Sequence, residues 1–366
     1  MRLLIAAGGT GGHLFPGISV ARAFKEANPG GDVLFVGSER GLEREILERE
    51  GFRQVALNVG RLKGEGWTQR LKTLLSLPGA LLQARSILKG FRPDLVFGIG
   101  GYSSGPMILA ARSRGIPRAV LEPNAIPGYT NRKLAKSVDR IFIAFPKAKE
   151  FFPESKVRLT GTPVRAELTE IGRAEIPPGP PSSKGGEFTV LVLGGSQGAT
   201  AINKAMTAAL PKLEASGKAL KIIHQTGTKD EAWVKEAYAK SKIPHEVSAF
   251  IADMARVYRE ADLAVSRAGA STCSEILATR TPSILVPYPF AADDHQRFNA
   301  ASLAESGGAE VIANDELAAK AADRILHYES NRAELADMKR KIGEAQKTPA
   351  TEAVLRELLK LNVSND

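Results

Sequence analysis

The chain has 366 residues, 43% of them hydrophobic and 25% charged, which suits two soluble globular domains and excludes disorder and collagen-like repeats. No apolar run approaches the ~18 residues a membrane span needs, no secretory leader opens the chain, and the single cysteine, Cys273, excludes an intrachain disulfide or a multi-thiolate metal site. A cytoplasmic protein is expected, and its net charge of +10 is uneven, with +12 in residues 1–160 and −2 in the remainder.

In chain order, an apolar strand near 2–7 enters the glycine turn 8–13 (GGTGGH), and further strands are expected near 32–37, 54–59, 94–99, 118–122 and 139–144. Between them, residues 61–92 carry seven basic residues, one acid and many leucines. That composition suits a surface lying on anionic lipid headgroups, and equally a long amphipathic helix packed on a sheet. No nucleic-acid-binding motif is present, so no nucleic-acid partner is expected. A Pro, Gly and Ser-rich stretch over 172–187 then reads as an exposed connection. The second half repeats the pattern, with strands near 188–193, 220–225, 245–249, 262–266, 283–287 and 309–312, and only helical patterns after about residue 314. Regular alternation of strand and helix implies α/β architecture: two doubly wound, Rossmann-like parallel sheets. RLLIAAGGTGGH and FTVLVLGGSQGA open the two halves alike, so their glycine turns are expected along one cleft.

Three glycine turns follow expected strands, at 8–13, at 98–105 (GIGGYSSG) and at 194–198 (GGSQG). Glycines there let backbone amides approach phosphate at a helix N-terminus. None completes G-x-G-x-x-G or a P-loop, which disfavours hydride transfer and nucleotide hydrolysis; together they point to a nucleotide diphosphate ligand. His13 closes the first turn, where the positive helix end favours a neutral ring able to act as a base; its plain alternative is a structural hydrogen bonder. Glu122, Asn124 and Asn131 form a polar cluster after a strand, with Asn131 readable as helix surface. Glu275, in SRAGASTCSE, suits a ribose diol or merely complements a helix dipole. The loop PYPFAADDHQRFNA gathers groups suited to sugar hydroxyls, Gln296 and Asn299 among them. The five histidines lack metal-ligand spacing and Asp293-Asp294 makes no D-x-D pattern, so neither metal nor other cofactor is expected.

GGTGGHLFPG, GIGGYSSGP, LEPNAIPG, GTPVR, GGSQGA, FIADM, SRAGASTCSEI and ADDHQRFNA, in this order over residues 1 to about 345, resemble the MurG family. The resemblance implies a peripheral membrane transferase at the cytoplasmic face of the cell membrane. Such an enzyme moves N-acetylglucosamine from UDP-N-acetylglucosamine to the 4-hydroxyl of the lipid I acceptor, making lipid II. It also implies the GT-B fold, inversion and no metal. The implied organisation is an acceptor and membrane-facing domain over 1–162, a UDP-sugar domain over 163–345 with a linker at 163–187, and a C-terminal helix in 346–366, with packing back on the first domain as one option. Carried over by motif, His13 and Glu122 are the candidate catalytic residues. Thr10, Gly11 and Gly12 face the donor sugar or diphosphate, Asn124 and Arg165 contact the donor, and Ser196 binds its diphosphate or sugar. Ile251 meets uracil through its backbone, Ala270, Ser271, Thr272 and Glu275 hold phosphate and ribose, and Gln296 bonds sugar hydroxyls. A transferase for another lipid acceptor, such as diacylglycerol, and a UDP-N-acetylglucosamine 2-epimerase remain the rival readings.

Overall fold

A computed structural model describes residues 1–8, 11–37, 41–58, 67–101, 103–173, 186–195, 197–346 and 348–363. The chain divides into two compact units, one formed by Met1–Arg165 with Thr348–Asp366 and the other by Ala166–Lys347.

In the first unit, strands β1 (Arg2–Ala6), β2 (Asp32–Gly37), β3 (Arg53–Ala56), β4 (Leu95–Gly98), β5 (Arg118–Glu122), β6 (Arg140–Ile143) and β7 (Val157–Leu159) make one sheet in the order β3-β2-β1-β4-β5-β6-β7. Every pairing is parallel. Successive side chains of a strand point to opposite faces, so β1 sends Leu3 and Ile5 into one core and Leu4 and Ala6 into the other. Helices α1 (Gly11–Ala27) and α2 (Gly41–Arg49) contribute to the first core. The second is covered by α3 (Trp67–Phe91), α4 (Ser104–Arg112) and α5 (Tyr129–Leu134). Within the basic leucine-rich segment, α3 buries Ala84 and Leu88 but leaves Leu82 65% exposed. β7 has no counterpart among the expected strands: it is a three-residue edge strand in which only Val157 is buried.

The second unit begins with α6 (Ala166–Arg173) and carries β8 (Phe188–Leu193), β9 (Leu220–Gln225), β10 (His245–Ser248), β11 (Leu263–Ser266), β12 (Ser283–Leu285) and β13 (Ala309–Val311). These form a second parallel sheet in the order β10-β9-β8-β11-β12-β13. Its helices are α7 (Thr200–Ala215), α8 (Glu231–Tyr238), α9 (Met254–Glu260), α10 (Ala270–Thr279), α11 (His295–Glu305), α12 (Leu317–Ser330) and α13 (Arg332–Ala345). The last helix, α14 (Ala350–Val363), returns to the first unit and packs Val354, Leu358 and Leu361 into the core beneath α1.

Both sheets reverse their strand order beside the first strand, at β1/β4 and at β8/β11, and ligands of doubly wound sheets bind outside the carboxyl ends of strands at such points. All three glycine turns lie there.

A buried polar network braces the second unit. His224 is fully enclosed, with its Nε2 3.0 Å from the Asn203 Oδ1 and its Nδ1 3.1 Å from the Tyr238 hydroxyl. Asn203 also donates to Asp230 at 2.9 Å and to the Thr226 carbonyl at 3.0 Å. Burial pushes the His224 pKa down to about 3. The unfolded chain therefore takes up a proton near pH 6.5 that the folded unit refuses, so stability is complete above pH 6.5 and falls as pH drops towards 3. Urea unfolding of the wild type between pH 7.5 and 4.5 should show this decline at about 1.4 kcal/mol per pH unit from this group. A variant His224→Gln should have a correspondingly shallower slope, and an unchanged slope would exclude His224 as its source.

Candidate active site

In the first unit, the turns after β1 and β4 meet backbone to backbone. Gly101 has φ +76°, and a Cβ there would overlap the carbonyl oxygen of Gly8. Gly100, with φ +92°, faces the His13 ring: its missing Cβ would stand 3.2 Å from Cδ2 and Nε2. His13 sits in the first turn of α1, part-buried, directly after Gly11 and Gly12. Burial lowers its pKa and the Glu43 carboxylate partly opposes this, so the ring is neutral at pH 7. Desolvation, and not the positive helix end, is the first cause of the lowering. Thr10 lies outside the described residues. Arg165 reaches the same helix, its guanidinium 5.3 Å from the centroid of the Phe15 ring, a cation–π arrangement.

Glu122 ends β5, is 1% exposed, and has both carboxylate oxygens occupied. Oε1 accepts from the Asn124 backbone N–H at 3.0 Å and from its Nδ2 at 3.2 Å; Oε2 accepts from the Gly128 N–H at 3.0 Å and from the Asn131 Nδ2 at 2.9 Å. Burial holds the Glu122 pKa above the ordinary carboxylate value, and these four donors only partly oppose the rise. Asn131, readable from sequence as helix surface, is buried: α5 turns its amide inward, where it donates to the Leu121 carbonyl at 2.9 Å as well as to Glu122. The cluster thus holds the LEPNAIPG loop in one shape and presents Asn124 from it.

In the second unit, the turn after β8 leads into α7, and Gly198 packs so closely on the Thr226 carbonyl that a Cβ would overlap it. Ser196 lies outside the described residues. Ala270, Ser271 and Thr272 form the first turn of α10, whose N-cap Gly269 carries no side-chain cap. Its N–H groups are oriented for an anion. Glu275, one turn further on, accepts from the Tyr258 hydroxyl at 3.1 Å on Oε2. Ile251 is buried and donates its backbone N–H to the Gln225 Oε1 at 3.0 Å.

Gln296 lies at the start of α11, where its Oε1 accepts the Tyr288 N–H at 3.0 Å. Arg267 is buried beneath this loop, donating to the Val286 and Pro287 carbonyls at 3.0 and 3.2 Å, with its guanidinium 5.5 Å from the Tyr288 ring centroid. Asn299, grouped from sequence with the sugar-reading residues, is fully buried and donates to the Ala268 carbonyl at 3.1 Å, which anchors α11 to the turn before α10. Sequence reasoning missed Tyr258 and Gln225. The one available signal was the polar pair His224-Gln225 directly after the apolar Ile222-Ile223 of the strand.

Two doubly wound sheets with glycine turns at their switch points define the class, a glycosyltransferase of the GT-B fold. The N-terminal domain of glycosyltransferase family 28 matches residues 3–143 and its C-terminal domain residues 189–354. A curated relative from Geobacter sp. (strain M21), named UDP-N-acetylglucosamine--N-acetylmuramyl-(pentapeptide) pyrophosphoryl-undecaprenol N-acetylglucosamine transferase, is 42% identical, covering 100% of this chain and 98% of the relative. The crystal structure of Acinetobacter baumannii MurG aligns with a TM-score of 0.76 at 31% identity, over 98% of this chain and 99% of that one. The chain belongs to the MurG family of glycosyltransferases. A UDP-N-acetylglucosamine 2-epimerase from Neisseria meningitidis aligns with a TM-score of 0.68 over 98% of this chain and 100% of that one; at 13% identity the likeness is one of fold alone.

Proposed function

We propose that this enzyme transfers N-acetylglucosamine, with inversion, from UDP-N-acetylglucosamine to the 4-hydroxyl of the N-acetylmuramoyl-pentapeptide of lipid I, forming lipid II for peptidoglycan at the cytoplasmic face of the membrane. The observation that carries the reading is the 42% identity, end to end, to a relative named for that transfer, with His13 placed at the switch point of the first sheet. The acceptor hydroxyl attacks the anomeric carbon from the face opposite UDP while His13 takes its proton. Charge growing on the departing UDP is met by the N–H groups that open α7 and α10. Arg165 or Arg267 supplies positive charge for the same purpose, and no step calls for a metal or cofactor. Thr10, Gly11, Gly12, Asn124 and Ser196 contact the donor sugar or diphosphate, the carbonyl of Ile251 reads uracil, Ala270, Ser271, Thr272 and Glu275 hold phosphate and ribose, and Gln296 donates to the sugar. Glu122 acts through Asn124, because its oxygens are already committed to the loop. Incubation with labelled UDP-N-acetylglucosamine and purified lipid I should yield a β-linked disaccharide lipid. Product with diacylglycerol alone, or epimerised donor without acceptor, would replace this reading by one of its rivals.

Membrane attachment belongs to the same proposal. No described helix is long and apolar enough to cross a membrane. On the helical layer over one sheet face, Leu82 of α3 and Leu109 of α4 are 65% and 45% exposed, with Arg85 and Lys89 exposed beside Leu82. Within the segment 61–92, residues 61–66 lie outside the described residues. At ~1 kcal/mol per basic residue near an anionic surface, Arg85→Gln with Lys89→Gln should weaken binding to anionic vesicles about 30-fold. Wild-type binding should weaken as salt rises. Equal sedimentation of variant and wild type with such vesicles would move the membrane face elsewhere.

A further inference from the structure

Gln225 bridges two segments that the proposed function assigns to different parts of the donor. It closes β9, is 6% exposed, and its carboxamide is used at both ends: Oε1 accepts the Ile251 N–H at 3.0 Å and Nε2 donates to the Gly195 carbonyl at 3.2 Å. The residues after it are held the same way. The Thr226 N–H donates to the Ser248 carbonyl at 3.0 Å and the Gly227 N–H to the Ala249 carbonyl at 3.1 Å, while Gly198 rests on Thr226 without room for a methyl group. Residues 225–227 are thus clamped between the third glycine turn and the segment leading to Ile251.

We propose that Gln225 is a positioning residue that couples recognition of the nucleobase to recognition of the diphosphate in a uridine nucleotide. The proposal rests on the reading of the second unit as the UDP-sugar site. A carboxamide suits the position because it offers an acceptor and a donor at opposite ends of one planar group. With its N–H engaged by Gln225, Ile251 turns its carbonyl to the base. Uracil presents an N3–H donor to that carbonyl, whereas cytosine presents a lone pair. Tilting the carboxamide shifts Gly195 and Ile251 together, so each ligand part that fixes one favours the other, and such coupling is reciprocal. Gln225 reaches no reacting atom, so its loss should appear in the Michaelis constant for donor with little change in kcat.

The test is calorimetric titration of the full-length protein with uridine, UDP and CDP, comparing wild type with Gln225→Met, which keeps length and packing but removes both hydrogen bonds. A neutral hydrogen bond contributes a factor of roughly 3 to 10. The variant should therefore lower both the UDP-to-uridine and the UDP-to-CDP affinity ratios by about that factor. A change in only one ratio, or in neither, overturns the coupling. Hydrogen exchange on the wild type gives a reading that needs no variant. Uridine, which carries no phosphate, should slow amide exchange across residues 194–199, and no protection there overturns the proposal. A wild type that binds no uridine compound would overturn the UDP-sugar reading together with this one, whereas binding with unmoved ratios overturns the coupling alone.

Discussion

His13→Ala is expected to lower kcat by about 100- to 10,000-fold while leaving the affinity for UDP-N-acetylglucosamine close to that of the wild type. A positioned general base contributes about that factor, and it acts on the acceptor's proton in the transition state and not on the bound donor. Alanine is the best helix former, so α1 should keep its first turn. The pH profile supplies an independent check. Burial holds the imidazole pKa below 6.5, with Glu43 opposing. The base form then persists on acidification, so the acid limb of kcat/KM, which reports the free enzyme, should have its midpoint below pH 6.5. Glu43→Gln removes the opposing carboxylate and should shift the acid limb to still lower pH. A half-maximal kcat/KM at or above pH 6.5, or a turnover untouched by His13→Ala at saturating substrates, would remove His13 from the mechanism.

The second large effect is on folding. Glu122→Gln should lower stability by about 2 to 6 kcal/mol, and activity with it. Four donors converge on the carboxylate, two at each oxygen. A glutamine can turn only one oxygen towards them, and its amide then faces the other two donors. Each buried donor left without an acceptor costs about 1 to 3 kcal/mol. That sum is a large share of the 5 to 15 kcal/mol by which domains are ordinarily stable. Urea unfolding checks the prediction. A variant with a wild-type midpoint and a collapsed kcat would instead place Glu122 among the groups that handle the proton.

Legibility in the sequence followed the range of the interactions. Parallel strands buried on both faces read as unbroken apolar runs, as in FTVLVL of β8, and the glycine turns after β1, β4 and β8 announced themselves by composition. β7 escaped notice because three residues at a sheet edge with one buried side chain leave no pattern. The Glu122 cluster could be picked out because its partners lie 2, 6 and 9 residues away. Even so, α5 is too short for its periodicity to reveal that Asn131 points inward. Tyr258 meets Glu275 across 17 residues and Gln225 meets Ile251 across 26, contacts that exist only once strands β8 to β11 are assembled in one sheet. Desolvation of His13 is likewise a property of the closed turn and not of any residue in it.

The return of α14 to the first unit has a bearing on how the protein is made. A ribosome delivers β1 long before α14, yet the core beneath α1 needs Val354, Leu358 and Leu361. The second unit lies wholly within the interval and can complete its own core while the first still shows water an apolar stripe. The domain that starts first thus finishes last. A nascent or truncated chain lacking α14 carries an uncovered face on α1, a natural target for chaperones or for aggregation, and the first unit can seal only once α14 has emerged.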